Sequence, residues 1–364
     1  MLTGTIRAVR CACAMLCALV ALALTAPGHA QCTGDITGNG QINGADLGLV
    51  LAAWASDGTD EPGSDVNQDG IVNGADLAFV LGAWGPCITT PAWATLIEAF
   101  PDPAVVTDPA LRAAITATGL AWRVKDTATQ IEFVLIPPGS FQMGCSASQQ
   151  YACILHESPV HTVTLTNAFY MGRYEVTQAQ WQARMVSNPS SFQSASAEVP
   201  AAQVPNRPVE RVSWNAIQGF LTQTGMRLPT EAEWEYAYRA GTTTAFHGFT
   251  GYLSGTNDDN LLGNIAWFSS NSNSQTRPVG GKLGNGYGLH DMSGNVWEWV
   301  NDWWSSSYYS SSPQNNPPGP TTGTSRVVRG GSWVNYSNVC RASFRFNSPS
   351  SAGSGIGFRV ARTP

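Results

Sequence analysis

A twelve-residue pattern that occurs twice in register constrains this chain more than any other feature. Asp35-Ile-Thr37-Gly-Asn39-Gly40-Gln41-Ile-Asn43-Gly-Ala-Asp46 recurs thirty residues later as Asp65-Val-Asn67-Gln-Asp69-Gly70-Ile71-Val-Asn73-Gly-Ala-Asp76. Oxygen-bearing side chains fall at loop positions 1, 3, 5, 9 and 12, the backbone carbonyls of Gln41 and Ile71 stand at position 7, and glycine stands at position 6 for the sharp turn. A hard cation such as Ca²⁺ wants six to eight such oxygens round one point. The candidate metal ligands are therefore Asp35, Thr37, Asn39, Gln41, Asn43 and Asp46, then Asp65, Asn67, Asp69, Ile71, Asn73 and Asp76. The first loop has Thr37 and Asn39 where the second has Asn67 and Asp69, so it should bind more weakly. An apolar segment follows each loop and predicts helices over 47–54 and 77–84. Neither half can bury its apolar face alone, which predicts a pseudo-symmetric all-α pair clamped by Cys32 and Cys87.

The remainder of the 364 residues is too long for a tail and about right for one larger domain. Only 12% of residues are charged, against 43% hydrophobic, 37 Gly, 22 Pro and 13 Trp, a composition that predicts a loop-rich, aromatic-cored extracellular domain. A net charge of −6 argues against nucleic acid or an anionic membrane as partner. Residues 1–30 carry Arg7 and Arg10, an apolar run over 11–24 and a small-residue site ending at Ala30, which reads as a signal peptide cleaved near Gln31 and makes the protein secreted or extracytoplasmic. No later stretch is apolar enough for a transmembrane segment. Five cysteines remain after cleavage. Cys145 and Cys153 close a short loop, and Cys340 is left over.

Residues 88–128, with four prolines, read as a linker with helical patterns at 93–100 and 109–118. From residue 129 onward the pattern is α+β. Strands are predicted at 131–136, 140–143 and 161–165, and helices at 177–185, 213–224 and 230–240. The last is the clearest, with Thr230 and Glu233 as a capping box and Gly241 as a stop. Beyond it the sequence predicts long structured loops.

The segment 32–87 resembles the type I dockerin domain, whose loop-helix repeats bind Ca²⁺ and dock on cohesin partners. The resemblance implies calcium and a cohesin-like or cell-surface tethering partner. It departs at loop positions 10 and 11, where Gly44-Ala45 and Gly74-Ala75 replace the usual Ser-Thr-type pair. Further on, Ile136-Pro-Pro-Gly-Ser-Phe-Gln-Met-Gly144, Glu157-Ser-Pro-Val160, Tyr174-Glu-Val-Thr177, Pro208-Val-Glu-Arg-Val-Ser-Trp214, Arg227-Leu-Pro-Thr-Glu-Ala-Glu-Trp-Glu-Tyr236, Asn285-Gly-Tyr-Gly-Leu289, Gly294-Asn-Val-Trp-Glu-Trp299, Arg329-Gly-Gly-Ser-Trp333 and Gly357-Phe-Arg359 follow one another. That order resembles the formylglycine-generating enzyme, or sulfatase-modifying factor, family, and implies a variant of the C-type-lectin-like fold.

By this resemblance, catalytic members oxidise a sulfatase cysteine to formylglycine with O₂ and a Cu(I) ion held by two thiolates. The pair follows the Gly-Gly-Ser-aromatic block as Cys-x-x-x-x-Cys. Counted forward from Ser332, Asn335 stands at the first position and Cys340 at the second. Counted backward from Gly357 a short deletion is needed, and Cys340 falls within Cys340-Arg-Ala-Ser-Phe-Arg345. On either count one thiolate is missing, and Asn cannot replace it for soft Cu(I). The sequence therefore predicts calcium and argues against copper. Cys340, Ser332 and Trp297 are the candidate catalytic residues by resemblance, with fold maintenance as the rival reading.

The family's structural calcium sites carry over as Asp291, the carbonyls of Gly294 and Val296, and Glu298, with a second set of Asn264 and the Ile265 carbonyl helped by Asn271 or Asn273. An unpaired Glu298 between two tryptophans would otherwise be costly. The candidate surface for a glycan or peptide ligand is Trp303, Trp304, Tyr308, Tyr309 and the Asn/Ser-rich stretch 333–354. The rival activity is an oxidoreductase generating formylglycine in sulfatases.

Overall fold

The computed structural model describes residues 32–350 and 355–364. The expected signal peptide lies outside the described residues. In the first module, a strand Gln41–Ile42 (β1) precedes a helix Gly44–Ala52 (α1), and a helix Gly74–Gly82 (α2) precedes a strand Gly85–Pro86 (β2). The expected all-α module is corrected by the antiparallel pairing of β1 with β2, which brings Cys87 back beside Gly40. Both helices begin three residues before the apolar run. Asn43 and Asn73 cap them, and Asp46 and Asp76 complete each capping box, so helix geometry starts inside the loop pattern. Val50, Val66, Val72 and Val80 form the small core, and the Cys32–Cys87 disulfide closes it.

The larger domain starts earlier than its motifs. Residues 94–98 form a strand, Ala94–Glu98 (β3), where a helix was expected, and a helix Pro109–Thr116 (α3) leads to Arg123–Asp126 (β4). The stretch read as a linker thus supplies two strands of a five-stranded antiparallel sheet, completed by Glu132–Ile136 (β5), Phe169–Gly172 (β8) and Ala361–Arg362 (β15) in the order β15-β8-β5-β4-β3. Tertiary pairing overrode a short ambiguous period: Trp93, just before β3, packs edge-on against Phe133 and Tyr170 at 5.5 and 5.4 Å. A hairpin of Gly139–Met143 (β6) and His161–Leu165 (β7) follows the first strands.

Helices Gln178–Gln182 (α4), Trp214–Thr224 (α5) and Glu231–Arg239 (α6) sit where expected, and Asp259–Leu262 (α7) is a short addition. The long structured loops expected after α6 instead contain several further strands. Ala266–Trp267 (β9) pairs with Ser293–Gly294 (β10), and a four-stranded sheet forms from Trp297–Trp303 (β11), Arg326–Arg329 (β12), Arg345–Ser348 (β13) and Ile356–Gly357 (β14), ordered β13-β12-β11-β14. Eight of the nine residues of α6 are buried, so this helix is the core of the mixed α/β domain, with Trp234 against the second sheet.

Candidate functional site

In the duplicated loops the position-1 carboxylates draw the turn inward. Asp35 accepts backbone N–H groups from Asn39 (3.1 Å) and Gly40 (2.8 Å), and Asp65 accepts them from Asp69 (3.1 Å) and Gly70 (2.9 Å). The position-12 carboxylates do the same across each loop: Asp46 accepts from Thr37 and Asn43, both at 2.9 Å, and Asp76 from Asn67 (3.1 Å) and Asn73 (2.9 Å). Burial pushes the Asp46 and Asp76 carboxyls up, but these donors outweigh it and hold both below the usual range. Asn43 and Asn73, expected as ligands, are helix caps whose side-chain oxygens accept the N–H of Ala45 (2.8 Å) and Ala75 (2.7 Å). A position-9 residue can still act through water.

The catalytic candidates separate. After β12 the chain turns at Gly330 and Gly331, both at positive φ (93° and 73°), and delivers Ser332 into a buried position. Its hydroxyl donates to Asn335 Oδ1 at 2.7 Å, and a Cβ on Gly355 would come within 3.0 Å of it. Trp297, on β11, lies beside Phe344 and Phe346 with centroids 6.1 and 6.0 Å away. Ser332, Asn335 and Gly355, which receives the Trp297 backbone N–H, therefore meet at one place, and Phe192 stacks edge-on against the adjacent Trp333 at 5.4 Å. Cys340 packs against the same turn, where a Cβ on Gly331 would come within 2.8 Å of its sulfur, but it bonds neither Ser332 nor Asn335. Its sulfur is fully buried with Phe246, Phe249, Leu262, Ile265, Ala266 and Phe268, and burial pushes the thiol up to about 12. Correcting the expectation, Cys340 is a core residue, since a thiol held that high supplies almost no thiolate. It is the one free cysteine among the described residues, the other four forming the Cys32–Cys87 and Cys145–Cys153 disulfides. The native protein should leave an aromatic disulfide reagent unreduced, and denaturation should release one thiol per chain; rapid titration of the folded protein would contradict this placement.

Glu298 is explained without calcium. Its Oε1 accepts from Arg359 at 2.6 Å, and its Oε2 from Arg359 (2.7 Å) and the Trp234 indole (2.6 Å). The guanidinium supplies the positive charge that was expected from calcium. Beside it, Asp291 accepts from Gly280 N–H at 2.6 Å, keeps one buried oxygen without a partner among the described residues, and is pushed up to about 6 by burial. The other expected set is dispersed in its bonding: Asn264 donates to Leu261, Asn271 bonds Ala266 and Phe268, and Asn273 donates to Glu198.

Sequence reasoning missed a buried ion network. Arg329 joins Glu231 (3.1 Å) and Glu235 (2.6 Å), Arg239 joins Glu235 (2.7 Å), and Arg345 joins Glu231 (2.6 Å). Glu231 and Glu235 lie one turn apart on α6, while Arg329 and Arg345 are register partners on β12 and β13. The four-residue spacing of Glu231 and Glu235, on the same helix face as Trp234 and Tyr238, was the available signal. Of the expected ligand surface, Tyr309 is 2% exposed and packs under Arg345, so it is core. Val334, Tyr336 and Phe346 are exposed; positions 351–354 lie outside the described residues.

Two further groups border these features. Glu210 is fully buried, accepts the N–H groups of Ser191 and Phe192, and so holds Phe192 against Trp333; burial pushes it up to about 7. A carboxyl raised this way favours the proton in the folded state, so stability is full below 4.5 and falls as pH rises to about 7. Glu210→Gln should flatten that slope, by roughly 3 kcal/mol at most; an unchanged difference in melting temperature between the two ends of the window would contradict it. A cavity of about 1070 Å³ is lined by Arg173, Phe249, Asn264, Lys282 and His290 and by none of the catalytic candidates. His290 is locked neutral, its Nδ1 donating to the Lys282 carbonyl at 2.8 Å and burial pushing it down to about 4.

Comparison with known proteins fits this anatomy. The family profile described as "Sulfatase-modifying factor enzyme 1-like domain" matches residues 119–364, and that of the "Dockerin type I domain" matches residues 33–82. A formylglycine-generating enzyme of Streptomyces coelicolor is 32% identical over 316 residues, covering 72% of this chain and 95% of the relative. That of Thermomonospora curvata is 36% identical over 204 residues, covering 52% and 66%. Among solved structures, Treponema denticola variable protein 1 is similar at 32% identity and a TM-score of 0.55, covering 65% of this chain and 98% of that one. PvdO from Pseudomonas aeruginosa is similar at 29% identity and a TM-score of 0.54, covering 66% and 98%. Since the matched profile spans four of the five strands of the first sheet, all of the second, α6 and the Ser332 turn, the chain belongs to the sulfatase-modifying factor enzyme 1-like family and carries a dockerin type I module ahead of that domain.

Proposed function

We propose that this is an exported binding protein in which a sulfatase-modifying-factor domain, a variant of the C-type-lectin-like fold, recognises a ligand while a calcium-loaded dockerin module tethers it to a cohesin-like or cell-surface partner. One observation supports the reading: Asn335, which the forward count from Ser332 sets at the first thiol position, is bound to the Ser332 hydroxyl, and Cys340, the one free cysteine among the described residues, is buried in the core. A soft Cu(I) ion needs two thiolates, so the donor set does not fit copper, and no step is derived through it. The oxygen-rich loops do fit Ca²⁺, which accepts mixed carboxylate and carbonyl shells. Two disulfides suit an oxidising compartment. Among the described residues no helix is long and apolar enough to cross a membrane.

The exposed Tyr336 and Phe346, the latter against Trp297, and the Phe192–Trp333 pair give the Ser332 region aromatic groups suited to recognition. The second reading, an oxidoreductase acting on sulfatases, is favoured by the relatives named as formylglycine-generating enzymes. Metal analysis of the intact protein separates the two. Calcium without copper supports the binding protein, and stoichiometric copper that survives desalting supports the oxidoreductase.

A further inference from the structure

The 23 residues 303–325, between Asp302 and Arg326, carry no charged side chain. They fold into a groove of about 420 Å³ walled by Tyr308, Pro313, Pro318, Pro320, Thr321 and Thr322. That volume falls in the range of small-molecule sites, about 300–1,000 Å³. The prolines fix the walls in advance, which lowers the ordering cost of binding. The ring of Tyr308 is fixed as well, because its hydroxyl accepts the Gly319 N–H at 3.1 Å.

No charged residue lines the groove, and Asp302 lies behind its wall. Gly319 sits at φ 81° directly over Asp302, where a Cβ would come within 2.6 Å of Oδ1. Asp302 is buried, accepts the Glu231 N–H at 2.8 Å, and is pushed up to about 8 by burial and by Glu231. Two cations flank the segment and neither lines the groove: Arg345 donates to the carbonyl of groove-lining Ser305 at 3.2 Å but is buried and paired with Glu231, and Arg326 is stacked between Trp214 and Trp303 at 3.7 and 3.4 Å. An ionic ligand would meet no free countercharge on the groove wall, and a purely apolar one would offer nothing to the Thr321 and Thr322 hydroxyls. A polyol with one apolar face meets both demands, placing its C–H face on an aromatic ring and its hydroxyls on hydroxyls.

We infer that the groove walled by Tyr308, the three prolines and Thr321–Thr322 binds a neutral saccharide. The inference rests on the binding-protein reading and places the saccharide away from the Ser332 region. The test titrates the full mature chain, by calorimetry and saturation-transfer NMR, with cellotetraose, xylotetraose and mannotetraose, with trigalacturonate as the charged counterpart and an unrelated neutral hexapeptide as the peptide counterpart. At least one neutral oligosaccharide should bind at millimolar concentration or better, and trigalacturonate should not. Tyr308→Ala should weaken binding by about tenfold or more, and Thr321→Arg, which fills the groove from its exposed rim, should do the same without changing the melting temperature. Tyr336→Ala should leave affinity within about twofold. The inference is overturned if no neutral oligosaccharide binds, if binding survives both groove variants, or if the peptide binds in its place. Loss of saccharide binding in Tyr336→Ala alone would also overturn it while leaving the binding-protein reading intact.

Discussion

Replacing Arg329 with Met is expected to destabilise the larger domain by about 3–5 kcal/mol, the cost of stranding a buried carboxylate pair. Arg329 is fully buried and, among the described residues, is the one side chain that joins both Glu231 and Glu235, which are themselves buried on consecutive turns of α6. Coulomb attraction holds Glu235 below the usual carboxylate range even though burial pushes it up, with Arg239 and Arg329 as its two partners. Without Arg329, Glu235 keeps Arg239 and Glu231 keeps Arg345, but the two acids then face each other with too little positive charge between them. The carbonyls of Ala342 and Ser343, which accept from Arg329, lose their donor as well. For a domain of this size the loss corresponds to a fall in melting temperature on the order of 10 °C. The comparison variant is Arg227→Met, whose partner Glu233 forms a half-exposed pair at 2.6 Å; an exposed pair contributes about 1 kcal/mol or less. Equal shifts in the two variants, read by calorimetry, would show that the network is not what fixes α6.

Removal of calcium is expected to have the second largest effect, confined to the first module. Asp46 and Asp76 are fully buried carboxylates on a core of only four valines, Ile42, Ala53 and Cys87. Backbone donors satisfy them in part, yet two acids in the first loop and three in the second still repel across each turn without a cation. At a free Ca²⁺ concentration a hundredfold above the dissociation constant, binding adds about 2.7 kcal/mol per site. Chelation should therefore abolish most of the module's helical circular dichroism while the Cys32–Cys87 disulfide keeps the chain compact. Asp69→Ala should weaken the second site by about tenfold and leave the first unchanged, because Asp69 is exposed and outside the core. A module whose spectrum and melting are indifferent to chelator would refute the loop assignment.

How far the sequence reached depends on what each signal measures. The α6 helix was legible because its caps are local: Thr230 and Glu233 exchange hydrogen bonds within one turn. Strand β7 was legible because one face is buried and the other is not, so its side chains alternate. Strand β11 was not, since nearly all of Trp297–Trp303 is buried on both faces and shows no period. The strand β3 was hidden because an edge strand gets its identity from its partner, here β4, some thirty residues on. At the candidate site, composition showed that a buried Glu298 needed a positive partner but could not show that Arg359, 61 positions away, provides it. The missing thiol was legible by counting. That the remaining one is sealed among phenylalanines was not, because Cys340 gains those neighbours only through the fold.

The most direct test is chemical. The mature protein, its disulfides intact and supplied with Cu(I) and O₂, is incubated with a Cys-x-Pro-x-Arg peptide, and the peptide is weighed by mass spectrometry. Because the chemistry needs two accessible thiols, and Cys340, the one free cysteine among the described residues, is buried in the core, the peptide should return unchanged at every time point. Appearance of the aldehyde with more than one turnover per chain, lost in Cys340→Ala, would contradict the account and make the domain a catalyst.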